Sequence, residues 1–472
     1  MRRRRVVWAA VLGLVSLAGS GQAQQAVYEA VAGRVRLGGY GSVKFEANDL
    51  EESNAGFDFR RFVLTLDAAP AERLRFVFEL EFERFTALEL EREVEATEGG
   101  LKVEQAVEGS NKSEIKLEQA WVQYDLAPFF NLRVGAVLPP LGRFNIFHDD
   151  NRWNLPRRPL VDRGVPVLPA KAAWTELGAG FAGETPLGRQ GLLRYELYLV
   201  NGVVLDAEVE EIAQTRLESR DKLELEAVFR PVAGPFDKDF NENKAVVGRL
   251  LLSPLLGYEL AVSGYVGEYT PDFLDAEETV WSVGVDGKVS LGPLEVEGEY
   301  VFTRWENIEA VARAFARTVV TQAAATPSAA SPAFESEIEF ELAELARSKS
   351  GYWVELRLPF WPAALSQTVL GRGFANPQLV PVLRWEQVFF DKRVTEVKFA
   401  NGVLTAFETA DATLNRLTLG LAYRPTPLWV FSLAYEVTFT DADSLAGLTN
   451  FLPAQEDEDT AQAFLVGVAF GF

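Results

Sequence analysis

The chain has no cysteine in 472 residues, and only one histidine and one methionine. Without cysteine there is no disulfide framework, no thiolate metal site and no cysteine nucleophile. The lone histidine, His148, would have to serve any Ser-His-Asp hydrolase, and no nucleophile elbow accompanies it. Bases are also scarce: 46 Lys and Arg stand against 68 Asp and Glu, a net charge of −22. That is the opposite of the basic face that binds nucleic acid. Beyond the first two dozen residues, no stretch approaches the roughly 20 uninterrupted apolar residues of a spanning helix. The sequence therefore predicts no enzyme, no nucleic-acid partner and no helical membrane span.

Two short motifs carry no cofactor or metal. Gly178-Ala-Gly180-Phe-Ala-Gly183 spells G-x-G-x-x-G, but a dinucleotide site needs those glycines to open a helix. Here they sit inside an alternating strand that ends in a turn at Thr185-Pro186-Leu187-Gly188. Asp149-Asp150-Asn151 lacks EF-hand spacing and reads as a turn or helix cap.

What is present is an exported, alternating chain. Residues 1–23 combine four arginines, an apolar core from Val6 to Ala18 and a small-x-small site at Gly21-Gln22-Ala23, the pattern of a cleaved signal peptide. Its removal takes away four arginines and no acid, moving the net charge from −22 to −26. The whole chain is 48% hydrophobic and 12% aromatic, yet in residues 24–472 the apolar residues alternate instead of clustering. Leu74, Phe76, Phe78, Leu80 and Phe82 share one face, with Arg75, Glu79, Glu81 and Glu83 on the other. Leu294 to Phe302 and Trp429 to Thr440 repeat the pattern. The runs are longer than the five or six residues common in soluble sheets and suit tilted membrane strands.

Sixteen such strands are predicted near 33–47, 57–69, 72–85, 114–127, 130–138, 172–184, 190–201, 244–253, 256–269, 279–291, 293–306, 350–358, 378–391, 412–424, 427–440 and 460–472. Their connections alternate short and long, with long ones at 48–56, 86–113, 139–171, 202–243, 270–278, 307–349, 392–411 and 441–459. The fold class is thus an all-β transmembrane antiparallel barrel, wide enough for an aqueous bore. Asp221 to Arg230 also alternates and reads as a ribbon within an outer loop. In 307–349, Ile308–Arg317 and Phe334–Arg347 are Ala/Glu-rich and fit a helical pair over the mouth, with a disordered loop as the alternative. Acid clusters at Glu89–Glu98, Glu208–Glu211, Glu335–Glu344 and Glu456–Asp459 read as solvated surface. Bridging lipopolysaccharide through divalent cations is the weaker reading. The final strand ends Phe470-Gly-Phe472, which resembles the assembly signal of outer-membrane proteins.

The loop at 139–171 has no sustained period, and at that length it is functional or disordered. It carries Phe144, Ile146, Phe147, Trp153 and Leu155, so it has apolar surface to bury. It also holds six bases, Arg143, Arg152, Arg157, Arg158, Arg163 and Lys171, against three acids, Asp149, Asp150 and Asp162. The expectation is a basic constriction loop folded into the bore, with His148, Asp149, Asp150 and Trp153 organising it. Its bases, with Arg61, Arg75 and Arg133 on nearby lumen-facing phases, would line an anion path. The alternative is that the arginines staple the loop to acidic strands such as those of Glu79–Glu83 and Glu295–Glu299.

Several stretches resemble the phosphate-selective porin O and P type in its broad sense. They are Pro140-Leu-Gly-Arg143-Phe-Asn145, His148-Asp-Asp150, Arg158-Pro-Leu160-Val-Asp-Arg163 and Trp174-Thr-Glu-Leu-Gly178, with Val200-Asn-Gly202, Lys244 to Leu250 and Tyr258 to Gly264 further on. The resemblance implies a sixteen-stranded, usually homotrimeric porin whose third loop narrows the channel. The expected function is passive diffusion of small hydrophilic solutes, anions such as phosphate among them, with outer-membrane lipid and lipopolysaccharide as surroundings. The competing expectation is an acidic-surfaced interaction barrel with a plugged or cation-preferring pore.

Overall fold

The computed structural model describes residues 34–50, 55–84, 88–97, 100–109, 114–162, 166–217, 220–234, 236, 244–325, 334–341, 345–400, 403–449 and 458–472. The leader at 1–23 lies outside them, as does Arg163.

Sixteen strands close into one barrel. They are β1 (Val35–Asn48), β2 (Gly56–Ala71), β3 (Leu74–Glu83), β4 (Glu114–Ala127), β5 (Phe130–Val137), β6 (Glu176–Leu187), β7 (Gly191–Val200) and β8 (Ala245–Ser253). The second half comprises β9 (Tyr258–Glu268), β10 (Thr279–Leu291), β11 (Leu294–Trp305), β12 (Ala346–Arg357), β13 (Gln378–Ala400), β14 (Val403–Thr426), β15 (Trp429–Thr440) and β16 (Thr460–Gly471). Each strand pairs antiparallel with the next, and β16 returns to β1 with Tyr40 opposite Gly471 and Asn48 opposite Ala463. Closure leaves the barrel no free edge.

The period-two pattern decides which side faces where. On β15, Trp429, Phe431, Leu433 and Tyr435 are exposed on the outside, while Val430, Ser432, Ala434, Glu436 and Thr438 are buried within. Leu197 and Leu199, Leu260 and Val262, Val283 and Val285, and Leu417, Leu419 and Leu421 continue the outer apolar face around the barrel. A continuous belt of this kind far exceeds the patches a water-soluble monomer exposes. With all backbone ladders paired, it is the surface of a membrane-spanning barrel. No helix of the described residues is long and apolar enough to cross a membrane.

The long loops depart from the sequence reading in three places. Residues 392–411 are no loop: β13 and β14 run on as a hairpin to Ala400 opposite Val403. Phe334–Glu341 is a strand, not a helix. It pairs parallel with the ribbon strand Arg220–Val232 and antiparallel with the far end of β13. Its Phe-Glu-Ser-Glu-Ile-Glu-Phe-Glu alternation, offered two neighbours, outweighs the helix propensity of its glutamates. Within 86–113, Leu88–Thr97 and Gly100–Gly109 form a two-stranded ribbon. The predicted ribbon at 221–230 is present as Val204–Leu217 paired with Arg220–Val232. Side chains of the acid clusters at 89–98, 208–211 and 335–344 lie outside the described residues.

Two helical segments follow the inner and upper cores. One-turn α1 (Arg143–Ile146) opens the third loop, and α2 (Ile308–Ala325) packs over the mouth. On α2, Ile308, Val311, Ala312, Phe315 and Ala316 recur at helical spacing and are buried. Phe315 meets Phe229 edge-on at 4.4 Å and Phe273 at 6.3 Å. This face belongs to the same buried cluster as the third loop.

Leu419 lies midway along the barrel portion of β14, with Leu383 of β13 opposite. Leu419→Arg should cost about 2–4 kcal/mol of unfolding free energy in lipid vesicles, measured by denaturant titration. Unchanged stability would place that face in water.

Candidate functional site, an inner loop bonded across the lumen

Pro139 and Pro140 end β5, since neither can donate to a ladder. Gly142 then turns the chain inward at φ +73°. A Cβ there would stand 2.2 Å from Glu299 Oε1, so a left-handed turn and a close approach both require glycine. The Gly142 amide donates to Ser263 Oγ at 3.2 Å, and the Phe144 amide to Glu299 Oε2 at 3.0 Å. Arg143 pairs with Glu297, with Glu259 at 2.8 Å and with Asp286 at 3.6 Å. Arg249 grips Asp286 through both carboxylate oxygens, at 2.5 and 2.6 Å. The first turn of the loop is thus pinned to β8 through β11.

The middle of the loop crosses to the opposite wall. Ser42 donates to Asp150 at 2.6 Å, and Arg60, Arg61 and Arg158 stand 3.5–3.7 Å from the same carboxylate. Burial alone would raise the Asp150 pKa, but these three guanidinium groups hold it well below the usual carboxylate range. Arg424 donates to Asn154 Oδ1 at 2.7 Å and to the carbonyls of Asn151, Arg152 and Trp153 at 2.9 Å each. Trp153 packs on Phe144 at 4.7 Å and edge-on against Trp353 at 5.5 Å. Its indole donates to the Phe147 carbonyl at 2.6 Å.

Arg157 sits between Glu46 of β1 and Glu436 of β15. Arg384 donates to its carbonyl at 2.7 Å, and Arg416 to that of Arg158 at 2.5 Å. Glu386 bridges the two wall arginines at 2.6 and 2.5 Å. Arg158 itself donates to the carbonyls of Ala172 and His148 and lies 3.7 Å from Asp162. The loop closes on Asn145, whose amide donates to Pro139 O at 2.8 Å and accepts from the Trp174 amide at 2.9 Å. Both ends of the loop are therefore tied by one side chain. Lys116 and Thr175 add bonds of 2.6 and 2.8 Å between the loop's exit and β4.

The expected bases among the described residues thus fall into three groups. Arg61, Arg143, Arg157 and Arg158 are nearly inaccessible, with side chains 0–7% exposed, and each faces carboxylates. Arg152 and Lys171 are exposed, the former paired with Asp149 at 2.8 Å. Arg75 and Arg133 are not at the loop. They line a cavity of about 670 Å³ at the short-turn end with Arg73, Arg194, Asp125, Glu184 and Glu196. Arg75 pairs with Asp67 at 2.9 Å, and Arg133 with Glu196 at 3.3 Å while lying 4.1 Å over Trp121. Beside Arg157 the space left between loop and wall is about 30 Å³, room for a water or two.

Sequence reading found the loop and its charges, and its stapling alternative named the strand of Glu295–Glu299 that meets Arg143 and the Phe144 amide, but it did not name the arginines of the wall. Arg249, Arg384, Arg416 and Arg424 sit on inward phases and were legible as such. Gly351, Gly420 and Gly467 gave less warning: a Cβ on them would meet Val161 and Val167, Leu155, and Pro156, at 2.2–3.0 Å. Among the described residues, no cluster of His, Asp and Glu is arranged to hold a metal ion.

No family model matches this chain. An uncharacterized protein of Aquifex aeolicus (strain VF5) is 30% identical over 187 residues, 39% of this chain. The match spans about a third of that relative, 36% of its length. Among solved structures, the fold is similar to Salmonella typhi OmpF in complex with daunomycin, with a TM-score of 0.49, 10% identity, and 93% of this chain and 97% of that one covered. It is also similar to an anion-selective porin from Comamonas acidovorans, at 0.49, 9%, 93% and 99%. The outer-membrane channel DcaP of Acinetobacter baumannii gives 0.44, 9%, 93% and 97%. The sixteen-strand closure itself stands on the strand pairing given above.

His148 makes the loop pH-sensitive. Its Nδ1 lies 2.9 Å from the Asn145 carbonyl and its Nε2 3.2 Å from Glu118 Oε1, with the ring fully buried. Burial works against the charged ring, and the Glu118 carboxylate more than reverses it, raising the pKa to about 9. A raised pKa stabilises the fold below the unfolded value of about 6.5, a gain lost as pH climbs through 9. On the order of 3 kcal/mol should disappear between about pH 7 and 10, read as earlier thermal unfolding of the barrel. In His148→Gln that loss should be absent; an identical pH profile would exclude the pair as its source.

Proposed function

We propose that this chain is a porin-like channel of the bacterial outer membrane, through which small hydrophilic solutes diffuse passively. The observation that carries this reading is a loop bonded from wall to wall inside a closed sixteen-strand barrel. A barrel of this strand number leaves an aqueous bore, and the inner loop sets how much of it stays open.

Within that reading, anion preference belongs to the short-turn mouth more than to the loop. The loop's guanidinium groups face carboxylates in buried positions, whereas Arg75 and Arg194, although paired with Asp67 and Glu184, are half-exposed around an open volume that Arg73 and Arg133 also line. Their four guanidinium groups are matched by Asp67, Asp125, Glu184 and Glu196, so the mouth offers solvent-accessible guanidinium donors and not a net positive charge. Guanidinium is the side chain best suited to phosphate oxygens, so small anions, phosphate included, are the proposed solutes. The homotrimer and an assembly role for Phe470 and Phe472 belong to the same proposal. Phe472 stacks on Phe62 at 5.8 Å and Phe470 packs at a tilt against Trp429 at 5.5 Å, beside the β1–β16 seam.

A second reading is favoured by the loop's apolar packing. Leu141, Phe144, Leu160, Val161, Val167 and Leu168 are all essentially buried, as in a plug. The plugged barrel would act through its surface and not through its bore.

Single-channel recording in planar bilayers separates these readings. The channel reading expects small, stable steps with anion preference in a salt gradient. Arg75→Glu with Arg133→Glu should move the reversal potential toward cations, and an unmoved potential would remove the mouth from the filter. Arg157→Ala, which frees Glu46 and Glu436 from the loop, should raise conductance and current noise. Folded barrels that never conduct, with or without Arg157→Ala, would favour the plug.

A further inference from the structure

Six of the turns at the short-turn end are brief, such as Ala127 to Phe130 and Leu291 to Leu294, but the connection from β12 to β13 spans residues 358–377. The predicted strands 350–358 and 378–391 leave this gap between them, at an end of the barrel that otherwise carries tight turns. The segment is Leu-Pro-Phe-Trp-Pro-Ala-Ala-Leu-Ser-Gln-Thr-Val-Leu-Gly-Arg-Gly-Phe-Ala-Asn-Pro, with one charged residue, Arg372. In a chain with 68 acids, these twenty residues contain none.

The turn is held in a defined shape. Phe360 and Leu379 extend the β12–β13 pairing past the end of β12. The Trp361 indole donates to Ser366 Oγ at 3.2 Å, Thr368 Oγ1 donates to the Leu365 carbonyl at 2.7 Å, and the Arg372 amide donates to the Thr368 carbonyl at 2.8 Å. It also leans on the outside of the barrel. Trp361 stacks on Tyr423 at 6.1 Å, and the Tyr423 hydroxyl donates to the Leu370 carbonyl. Tyr423 in turn stacks on Phe431 at 6.0 Å, on the outward face of β15. The outward column Val354, Leu356, Leu358 and Phe360 runs from β12 straight into the turn. Beyond it Val369 is 89% exposed, with Leu370 and Phe374 exposed beside it.

We propose that residues 358–377 form a membrane-interface anchor, seated in the headgroup boundary of the phospholipid leaflet at the short-turn end. Three observations fix lipid as the occupant. The turn's apolar side chains are continuous with the lipid-facing belt, and its aromatic contact to the barrel, Trp361 on Tyr423, is of the type concentrated at membrane interfaces. Its only charge is an exposed arginine, able to reach lipid phosphate from an apolar seat. The inference depends on the barrel spanning a membrane and not on its conducting solutes.

The absence of cysteine makes the test direct. Val369→Cys carries a nitroxide label in protein reconstituted into phosphatidylethanolamine–phosphatidylglycerol vesicles. Leu419→Cys on the outward face of β14 is the lipid reference, and Arg189→Cys in the β6–β7 turn the water reference. The expected result at 369 is an oxygen-to-nickel accessibility ratio several-fold above that at 189, approaching that at 419. A ratio equal to that at 189 would put the turn in water and overturn the anchor. Shielding from both reagents would mean a protein surface covers it, which also overturns it. Failure of the Leu419 label to read as lipid would strike the membrane reading itself.

Discussion

The pairing of β1 with β16 is the constraint on which the rest of the molecule depends. Backbone amides and carbonyls cannot be left unpaired in hydrocarbon, so a membrane sheet must close on itself. Once it closes, every strand has one face in lipid and one in the bore, and the period of two assigns each residue irrevocably. That assignment puts Glu46, Glu118, Glu297, Glu299, Glu386 and Glu436 inside together. A ring of uncompensated carboxylates at low dielectric would be costly. The inner loop supplies much of the compensating charge, and in doing so acquires its position.

Ion pairs of this kind contribute less to stability than their number suggests. Desolvating a guanidinium and a carboxylate consumes most of what their attraction returns, although removing one partner alone costs about 3–5 kcal/mol. Their effect here is registration. Arg143 has its partners on β9 through β11, Arg157 on β1 and β15, and Arg158 accepts at its carbonyl from Arg416 of β14. A loop bound to one wall could swing; one bound across the bore has a single arrangement that satisfies all of these groups. Apolar contacts of Leu155 and Val161 with inward glycines of the wall then fill the space around the pairs.

How much was legible in advance follows the same logic. All sixteen barrel strands were readable because lipid on one side and polar groups on the other impose strict alternation, and β4 and β10 agree with the predicted limits residue for residue. The loop was readable as a basic, apolar-bearing insertion, but not which guanidinium groups would meet carboxylates, since Glu436, a partner of Arg157, lies 279 residues further along the chain. Phe334–Glu341 misled because its composition suits a helix, while its neighbours in space, Arg220–Val232 and the end of β13, lie more than fifty residues off in either direction. The 358–377 turn was overlooked because an alternating tally of short and long connections has no place for a structured segment at the short end.

The charge arrangement bears on which part of such a barrel selects. An arginine that is already paired presents a dipole, not a charge, to a passing ion, and screening within a Debye length of about 8 Å weakens even that. The loop's most conspicuous feature in sequence, its basic excess, is therefore largely consumed in holding the loop. At the short-turn mouth Arg75, Arg133 and Arg194 are paired as well, with Asp67, Glu196 and Glu184, but Arg75 and Arg194 stay half-exposed. The residues that hold the loop and those that line the mouth share almost no bonds. Substitution at Arg75 or Arg133 therefore leaves in place the ion pairs that hold the loop.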